Sequence, residues 1–168
     1  MSDPIQVLMD EHRVIEKVLD ALETAADLEV PSEFYDRALE FCSAFADACH
    51  HAKEEDRLFP LLEERGIPRK QGPVGVMCDE HVQGRAYIQQ MRDAVAAGDY
   101  DRVRRVSMLY VGLLRDHIQK EDNVLFAMAR DVLGQKDLEK LDAEFTAAAK
   151  PEWNRYLTVA DELAAMVS

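Results

Sequence analysis

Histidine and glutamate residues recur in this chain at a spacing that suits metal binding. Residues 50–59 and 117–126 align without a gap, and in each segment a glutamate, Glu54 or Glu121, follows a histidine by four positions. The two segments agree at His50 and His117, Lys53 and Lys120, Glu54 and Glu121, Leu58 and Leu125, and Phe59 and Phe126. Because residues four apart lie on one face of an α-helix, each segment presents an imidazole beside a carboxylate. Both groups are ligands of divalent transition metals.

A second short motif is also repeated. Residues 10–12, Asp-Glu-His, return as residues 79–81, and the offset between these copies is nearly that between the two longer segments. Repetition over this length predicts two copies of a helix pair. Each copy carries one isolated histidine, His12 or His81, and then a histidine with a glutamate four residues later.

The composition is that of a folded, acidic domain. The chain has 168 residues, of which 48% are hydrophobic and 32% charged, and its formal net charge is -13. That charge argues against nucleic acid or an anionic membrane surface as a partner. No apolar run approaches the roughly 20 residues of a membrane span, and the N-terminal residues show no secretory signal. The three cysteines form no Cys-x-x-Cys motif, so we expect reduced thiols in a cytoplasmic protein.

The spacing of apolar residues predicts an all-α protein. Apolar positions recur in steps of three and four along four long segments, which form the helix pairs 3–65 and 73–132. Short connections between such helices predict an antiparallel up-down-up-down four-helix bundle over residues 1–133. Residues 134–168 then form a C-terminal helical extension that packs on the bundle. This extension suits a lid, a packing surface or the interface of a homodimer.

The predicted bundle brings the four repeated histidines to one level. His12 lies 18 residues before the first connection, near residue 30, and His50 lies 20 residues after it. At 1.5 Å per residue, their heights agree within roughly 3 Å. His81 and His117 are related in the same way to the connection near residue 98. The predicted metal ligands are therefore His12, His50, Glu54, His81, His117 and Glu121.

Six such groups in a protein interior would be costly without a cation. Buried imidazoles need partners, and two adjacent buried carboxylates repel each other. Two divalent ions would resolve this, with Glu54 and Glu121 as bridges and two imidazoles on each ion. Nitrogen and carboxylate ligands with open positions favour iron, with zinc or manganese as substitutes. Glu11 and Glu80, each directly before a ligand histidine, are candidates to orient the imidazole N–H groups.

Three neighbouring residues allow more than one interpretation. His51 aligns with the polar residues Asp47 and Glu55, which predicts a surface position, with a role as a further ligand as the alternative. Tyr110 lies two turns before His117 and suits either core packing or a gate to the metal. Gly84 either opens a channel for a small molecule or allows two helices to approach closely.

The pattern His…His-x-x-x-Glu…His…His-x-x-x-Glu on four helices resembles the hemerythrin-like family, also called the HHE cation-binding domain. The resemblance covers about residues 5–130. It implies a non-heme di-iron centre on the six residues given above. It also implies activities that involve small diatomic or peroxide ligands: oxygen binding, nitric oxide handling, peroxide removal, iron supply or redox sensing.

The sequence departs from the pattern of the oxygen-carrying hemerythrins. Those proteins have a second histidine one turn from the ligand in the third helix, where this chain has Met77 and Arg85. They also have an aspartate five residues after the fourth-helix histidine, where this chain has a glutamate after four. One fewer nitrogen ligand leaves a more open centre and favours reactivity or sensing over reversible carriage. We therefore expect a di-iron protein that handles oxygen, peroxide or nitric oxide or serves iron homeostasis. The alternative is a metal- or redox-dependent sensing or interaction module without turnover.

Overall fold

The computed structural model describes residues 1–168 and consists of six helices without any β-strand. The predicted all-α class is therefore confirmed. The helices are α1 (Pro4–Ala25), α2 (residues 32–64), α3 (Pro73–Ala96), α4 (residues 100–132), α5 (Gln135–Ala148) and α6 (Arg155–Met166), with a short 3₁₀ turn at Pro151–Asn154. None of them combines the length and the apolar character that a membrane span requires.

Local sequence explains where the helices begin and end. The Asp3 side chain accepts hydrogen bonds from two backbone N–H groups at the start of α1, and the Asp99 side chain accepts one at the start of α4. Pro73 occupies the first position of α3, where its missing N–H costs nothing. Gly66 follows α2 with φ of 95° and Gly98 follows α3 with φ of 69°. Glycine adopts this left-handed conformation without steric penalty, so both residues end a helix cleanly.

Parts of α2 and α4 have π-helical hydrogen bonding, from residue i to residue i+5. In α2 these parts are Cys42–His51 and Glu54–Leu58, and in α4 the part is Glu121–Leu125. The last two occupy the same place in the two repeated segments, since each runs from the motif glutamate to the matching leucine. Turns of this kind are rare and occur often at functional sites.

Two apolar clusters form the core, with a polar layer between them. On each of the first four helices, the apolar residues before and after the predicted ligand histidine belong to different clusters. On α1, for example, Leu8 lies in the smaller cluster and Ile15 in the larger, with His12 between them. The corresponding flanking residues are Cys49 and Leu58 on α2, Ile88 and Met77 on α3, and Ile118 and Leu125 on α4. Hydrocarbon therefore covers the polar layer on both sides.

The last two helices complete these clusters. Leu141 and Phe145 of α5 belong to the smaller cluster, and Leu163 of α6 belongs to the larger. Arg65 at the end of α2 donates two hydrogen bonds, of 2.9 and 2.6 Å, to the carboxylate of Asp137 in α5. Residues after 134 are therefore packed against the preceding helices through both apolar and ionic contacts.

Candidate metal centre

All six residues predicted as ligands point into the protein interior. Each of their side chains is at most 1% exposed to solvent. They lie on four different helices: His12 on α1, His50 and Glu54 on α2, His81 on α3, and His117 and Glu121 on α4. Charged and polar groups are almost never fully buried without partners, so this layer calls for a specific explanation.

The four histidines form two similar pairs. The ring centroids of His12 and His50 are 4.6 Å apart and their planes are inclined by 55°. For His81 and His117 the corresponding values are 4.8 Å and 54°. The Nε2 atoms of the second pair are only 3.2 Å apart. Each pair therefore presents two imidazole nitrogens to one small region.

Glu54 lies between the two histidine pairs. Its Oε1 atom is 3.3 Å from His50 Nε2 and 3.6 Å from His81 Nε2. Glu121, its counterpart in the second repeat, contacts His117 Nε2. A carboxylate that faces one histidine of each pair occupies the position expected of a bridge between two ions.

Six of the inward-facing atoms of this layer lack hydrogen-bond partners. They are Nε2 of His12, Nε2 of His50, and both carboxylate oxygens of Glu54 and of Glu121. A buried polar group without a partner costs on the order of 1–3 kcal/mol, and a charged one costs more. Imidazole nitrogen and carboxylate oxygen are donors that suit iron, zinc or manganese. The residues present thus fit a metal ion in both donor type and unmet bonding capacity.

The opposite nitrogen of each of the four predicted ligand histidines is bound to a carboxylate from a neighbouring helix. The Nδ1 contacts are His12 with Asp122 at 2.7 Å, His50 with Glu11 at 3.1 Å, His81 with Glu55 at 3.0 Å, and His117 with Glu80 at 3.0 Å. When the ring is neutral, a carboxylate that accepts the Nδ1 proton leaves the Nε2 lone pair free. This arrangement fixes the tautomer and the ring orientation of a metal-binding histidine.

Glu11 and Glu80 orient histidines, but not the adjacent ones suggested by the sequence. Glu11 binds His50 of α2, whereas its neighbour His12 binds Asp122 of α4. Adjacent residues on a helix point about 100° apart, so a glutamate cannot face the same way as the histidine that follows it. The sequence-based prediction did not include Glu55 and Asp122, the carboxylates that bind His81 and His12. The repeat does contain a signal for them, because an acidic residue directly follows the motif glutamate in both copies.

Each of these four carboxylates is itself paired with a cation. The pairs are Asp122 with Arg13, Glu11 with Lys53, Glu55 with Arg85, and Glu80 with Lys120. The hydrogen bond from His81, opposed by burial and helped by Arg85, lowers the pKa of Glu55 to about 2. Such pairing keeps the carboxylates ionised, so they remain acceptors for the imidazole N–H groups.

Aromatic rings from the repeated segments support two of the histidines. Phe126 stacks on His12 at 5.6 Å, and Phe59 stacks on His81 at 6.0 Å, with interplanar angles of 11° and 16°. Each repeat therefore supplies the phenylalanine that covers the isolated histidine of the other repeat. This gives the phenylalanine at the end of each segment a structural role.

The buried histidines differ in the direction in which their surroundings shift the pKa. Burial lowers the pKa of His12 and of His117 more than their carboxylate partners raise it, so both stay neutral. Burial acts in the same direction on His50, but the Glu54 charge and the bond to Glu11 outweigh it and raise the pKa of His50 to about 9. The His50 proton stabilises the Glu54 charge, and a cation in that place would release it.

The expectation that His51 lies on the surface is wrong. Its side chain is 4% exposed, and its ring stacks on that of His81 with centroids 3.9 Å apart and planes inclined by 20°. The π-helical bonding of Cys42–His51 widens the turn, so the regular spacing that separates His50 from His51 fails here. His51 Nδ1 lies 3.4 Å from Asp47 of the same helix.

His51, Glu54, His81 and His117 also place one donor atom each within 4.8 Å of one another. This set suggests a single-ion site as an alternative to two ions. Imidazoles that bind one ion have planes that both pass through it, so two rings stacked face to face cannot both direct a lone pair at that ion. The stacking of His51 on His81 therefore disfavours the single-ion site.

Tyr110 and Gly84 lie together beside this layer. Tyr110 is 2% exposed and lines the same cavity as Cys42. Burial holds the pKa of Tyr110 well above its usual value, so the side chain stays a neutral phenol. A Cβ atom on Gly84 would lie 3.7 Å from the side chains of Tyr110 and Leu114, which is ordinary van der Waals contact. The packing of α3 against α4 therefore does not require a glycine at this position, and Gly84 and Tyr110 both border a cavity next to His51.

Comparisons with known proteins point to a cation-binding family. Residues 3–129 match the family model of the hemerythrin HHE cation binding domain. The uncharacterized protein Mb2018 of Mycobacterium bovis and the uncharacterized protein Rv1995 of Mycobacterium tuberculosis are each 25% identical to the chain over 149 residues. The match covers 82% of this chain and 58% of each relative, so the chain spans little more than half their length. No solved structure matches the chain.

Proposed function

Because the chain belongs to the hemerythrin HHE cation-binding domain family, we propose that its buried layer holds two iron ions and binds oxygen, peroxide or nitric oxide. The single observation that carries this proposal is the set of inward-facing donor atoms without hydrogen-bond partners on His12, His50, Glu54 and Glu121. These atoms are costly in a folded protein unless cations satisfy them.

The two histidine pairs divide the proposed ligands between two ions. His12 and His50 hold one ion and His81 and His117 the other, with Glu54 and Glu121 as bridges. The position of Glu54 Oε1 near one histidine of each pair supports the bridge. Bound iron would supply redox chemistry and open coordination positions. The apolar clusters above and below keep bulk water from the layer, and the carboxylates on Nδ1 hold the rings in place.

We also propose the up-down-up-down bundle for the four helices that carry these ligands. The carboxylate–histidine contacts support it, because they join α1 to α2, α2 to α3, α3 to α4, and α4 back to α1. Contacts that close in this cyclic order are those expected when sequential helices are neighbours around one core.

Reconstitution with iron tests the proposed function. The protein is unfolded and refolded with a chelator, loaded with Fe²⁺ under nitrogen, desalted and assayed for iron and for near-ultraviolet absorption after oxidation. We expect about two irons per chain and a higher thermal unfolding temperature than for the iron-free protein. Less than half an equivalent of any transition metal would overturn the proposal. Peroxide or nitric oxide is then added to the reduced protein to identify the ligand.

One observation favours sensing without turnover as a second candidate. Lys53, which binds Glu11 and through it His50, lies under two aromatic rings of the C-terminal extension. Its Nζ atom is 5.8 Å from the ring centroid of Phe145 and 5.7 Å from that of Trp153. Residues after 134 thus contact the ion pair that orients a ligand, so a change at the ligand can reach them.

Limited proteolysis separates the two candidates. If the protein is a sensor, cleavage within residues 134–168 changes severalfold between the reduced and oxidised iron forms, and peroxide and nitric oxide are not turned over. In Trp153→Ala the difference in cleavage should shrink, because the contact with Lys53 is lost. Identical cleavage of all forms, together with turnover, would exclude the sensor.

A further inference from the structure

A cavity of about 250 Å³ lies between α2, α3 and α4 beside the polar layer. Its inner wall includes His51, Gly84 and Tyr110, and its outer part includes Arg85 and Arg92 of α3. The volume corresponds to roughly eight waters at about 30 Å³ each. Sites for drug-sized ligands usually have about 300–1,000 Å³. The cavity is therefore matched to a molecule of a few heavy atoms.

The cavity opens beside two guanidinium groups on an otherwise acidic protein. Arg85 is held by Asp47 and Glu55, with a distance of 2.7 Å to the Glu55 carboxylate. Arg92 makes no ion pair, and its guanidinium donates a hydrogen bond to the Ser43 hydroxyl. The chain as a whole carries a net charge of -13. An unpaired cation at the mouth of a cavity raises the local concentration of small anions.

His51 separates the cavity from the proposed ligands. One face of its ring stacks on His81, and its donor atom lies within 4.8 Å of those of Glu54, His81 and His117. The side chain also lines the cavity. A molecule that enters from the mouth beside Arg92 thus meets His51 before it meets the bridging glutamate.

We propose that this cavity is an entry and holding site for a small anion of a few heavy atoms, which Arg92 attracts and His51 admits to the metal pair. The proposal rests on the proposed function, since it needs ions to receive the ligand. The proposal adds an entry route for the small molecule and a preference for anions. Neither follows from the identity of the six proposed metal ligands.

The charge preference is tested with azide, a three-atom anion, and nitric oxide, a neutral molecule of similar width. Stopped-flow absorption measures the association of azide with the oxidised iron-loaded protein. The same method measures the association of nitric oxide with the reduced iron-loaded protein. Arg92→Gln should lower the azide association rate roughly three- to tenfold and weaken its salt dependence, while nitric oxide is unaffected. Arg105→Gln is the matched control, because Arg105 is also exposed and unpaired but lies outside the cavity. Equal azide rates in the two variants would refute the role of Arg92.

The route is tested by filling the cavity from Gly84. Gly84→Ala adds only ordinary contacts, whereas Gly84→Leu places three more carbons toward the cavity and its border with Tyr110. Gly84→Leu should slow association of both azide and nitric oxide by roughly tenfold or more, and Gly84→Ala by less. Rates equal to those of the parent protein in both variants would overturn the route. If Gly84→Leu fails to fold, the association rates of Gly84→Ala still test the route, and those of Arg92→Gln still test the charge preference.

Iron content separates failure of this inference from failure of the proposed function. The substitutions of Arg92, Arg105 and Gly84 all lie outside the six proposed ligands, so each variant should retain about two irons per chain. A parent protein that holds no iron refutes the proposed function. A parent protein that holds iron, with ligand rates that none of the variants change, refutes only the cavity as the entry site.

Discussion

The two helix pairs of this protein, α1 with α2 and α3 with α4, form matching halves of the polar layer. Their histidine pairs have centroid distances of 4.6 and 4.8 Å and inclinations of 55° and 54°. Both motif glutamates begin a short π-helical segment. The repeated residues thus reproduce the proposed ligands and their carboxylate partners almost identically in each half.

The surroundings of the two halves differ. The π-helical segment Cys42–His51 has no counterpart in α4, and the position of His51 is taken there by the buried Ile118. Lys53 is 11% exposed under the rings of the C-terminal extension, whereas its counterpart Lys120 is 45% exposed. The comparison teaches that the repeated residues account for the proposed ligands, while the residues that differ between the halves account for the proposed access route and for the contact with the C-terminal extension.

The largest effect should come from the two proposed bridges, and it should be equal in the two halves. Glu54→Ala and Glu121→Ala each remove a carboxylate shared by both ions, so each variant should lose most of its iron. At iron concentrations near 1,000 times the dissociation constant, the lost stabilisation is about 4 kcal/mol. Iron analysis and urea unfolding measure both quantities. If one glutamate proves dispensable, the two halves are not equivalent.

A smaller and unequal effect is expected for the paired lysines. Lys53→Met leaves the largely buried Glu11 without its cation, and we expect a loss of about 2–3 kcal/mol in unfolding free energy. Lys120→Met removes an exposed ion pair and should cost less than about 1 kcal/mol. Urea unfolding of the two iron-free variants checks this difference. Equal losses would show that the cover over Lys53 is energetically unimportant.

His51 and Ile118 give the next comparison. His51→Ala should cost about 1–2 kcal/mol in stability, as expected for a buried side chain, yet retain about two irons per chain. Ile118→Ala should cost about 2–4 kcal/mol through a cavity and should also retain iron. Iron content and urea unfolding of both variants test this. Loss of one iron in His51→Ala alone would make His51 a ligand.

The pH dependence of the iron-free protein should distinguish His50 from its counterpart His117. The pKa of His50 is raised to about 9, so its contribution to stability is complete below pH 6.5 and is lost as the pH rises through 9. The pKa of His117 is lowered, so its penalty grows as the pH falls below 6.5. Thermal unfolding between pH 5 and pH 10 should show maximal stability near pH 6.5, because the His50 contribution declines above that pH and the His117 penalty grows below it. His50→Gln should flatten the alkaline side and His117→Gln the acidic side; unchanged profiles would contradict these assignments.

Regular helical spacing was sufficient to predict the all-α class and to choose buried residues at the six proposed ligand positions. It failed at His51, because the spacing assumes α-helical turns and the Cys42–His51 segment is π-helical. The periodic pattern also cannot predict which side chains of different helices contact each other. That Glu11 binds His50, rather than the adjacent His12, depends on the relative rotation of α1 and α2. The cover of Lys53 by Trp153 depends on the path of the extension, which no repeat specifies.

The central claim is that two ions, rather than one, occupy the polar layer. A crystal structure of the iron-loaded protein, with anomalous data on both sides of the iron absorption edge, tests it most directly. Two anomalous peaks are predicted, one at the Nε2 atoms of His12 and His50 and one at those of His81 and His117. A single peak at His51, Glu54, His81 and His117 would contradict the account.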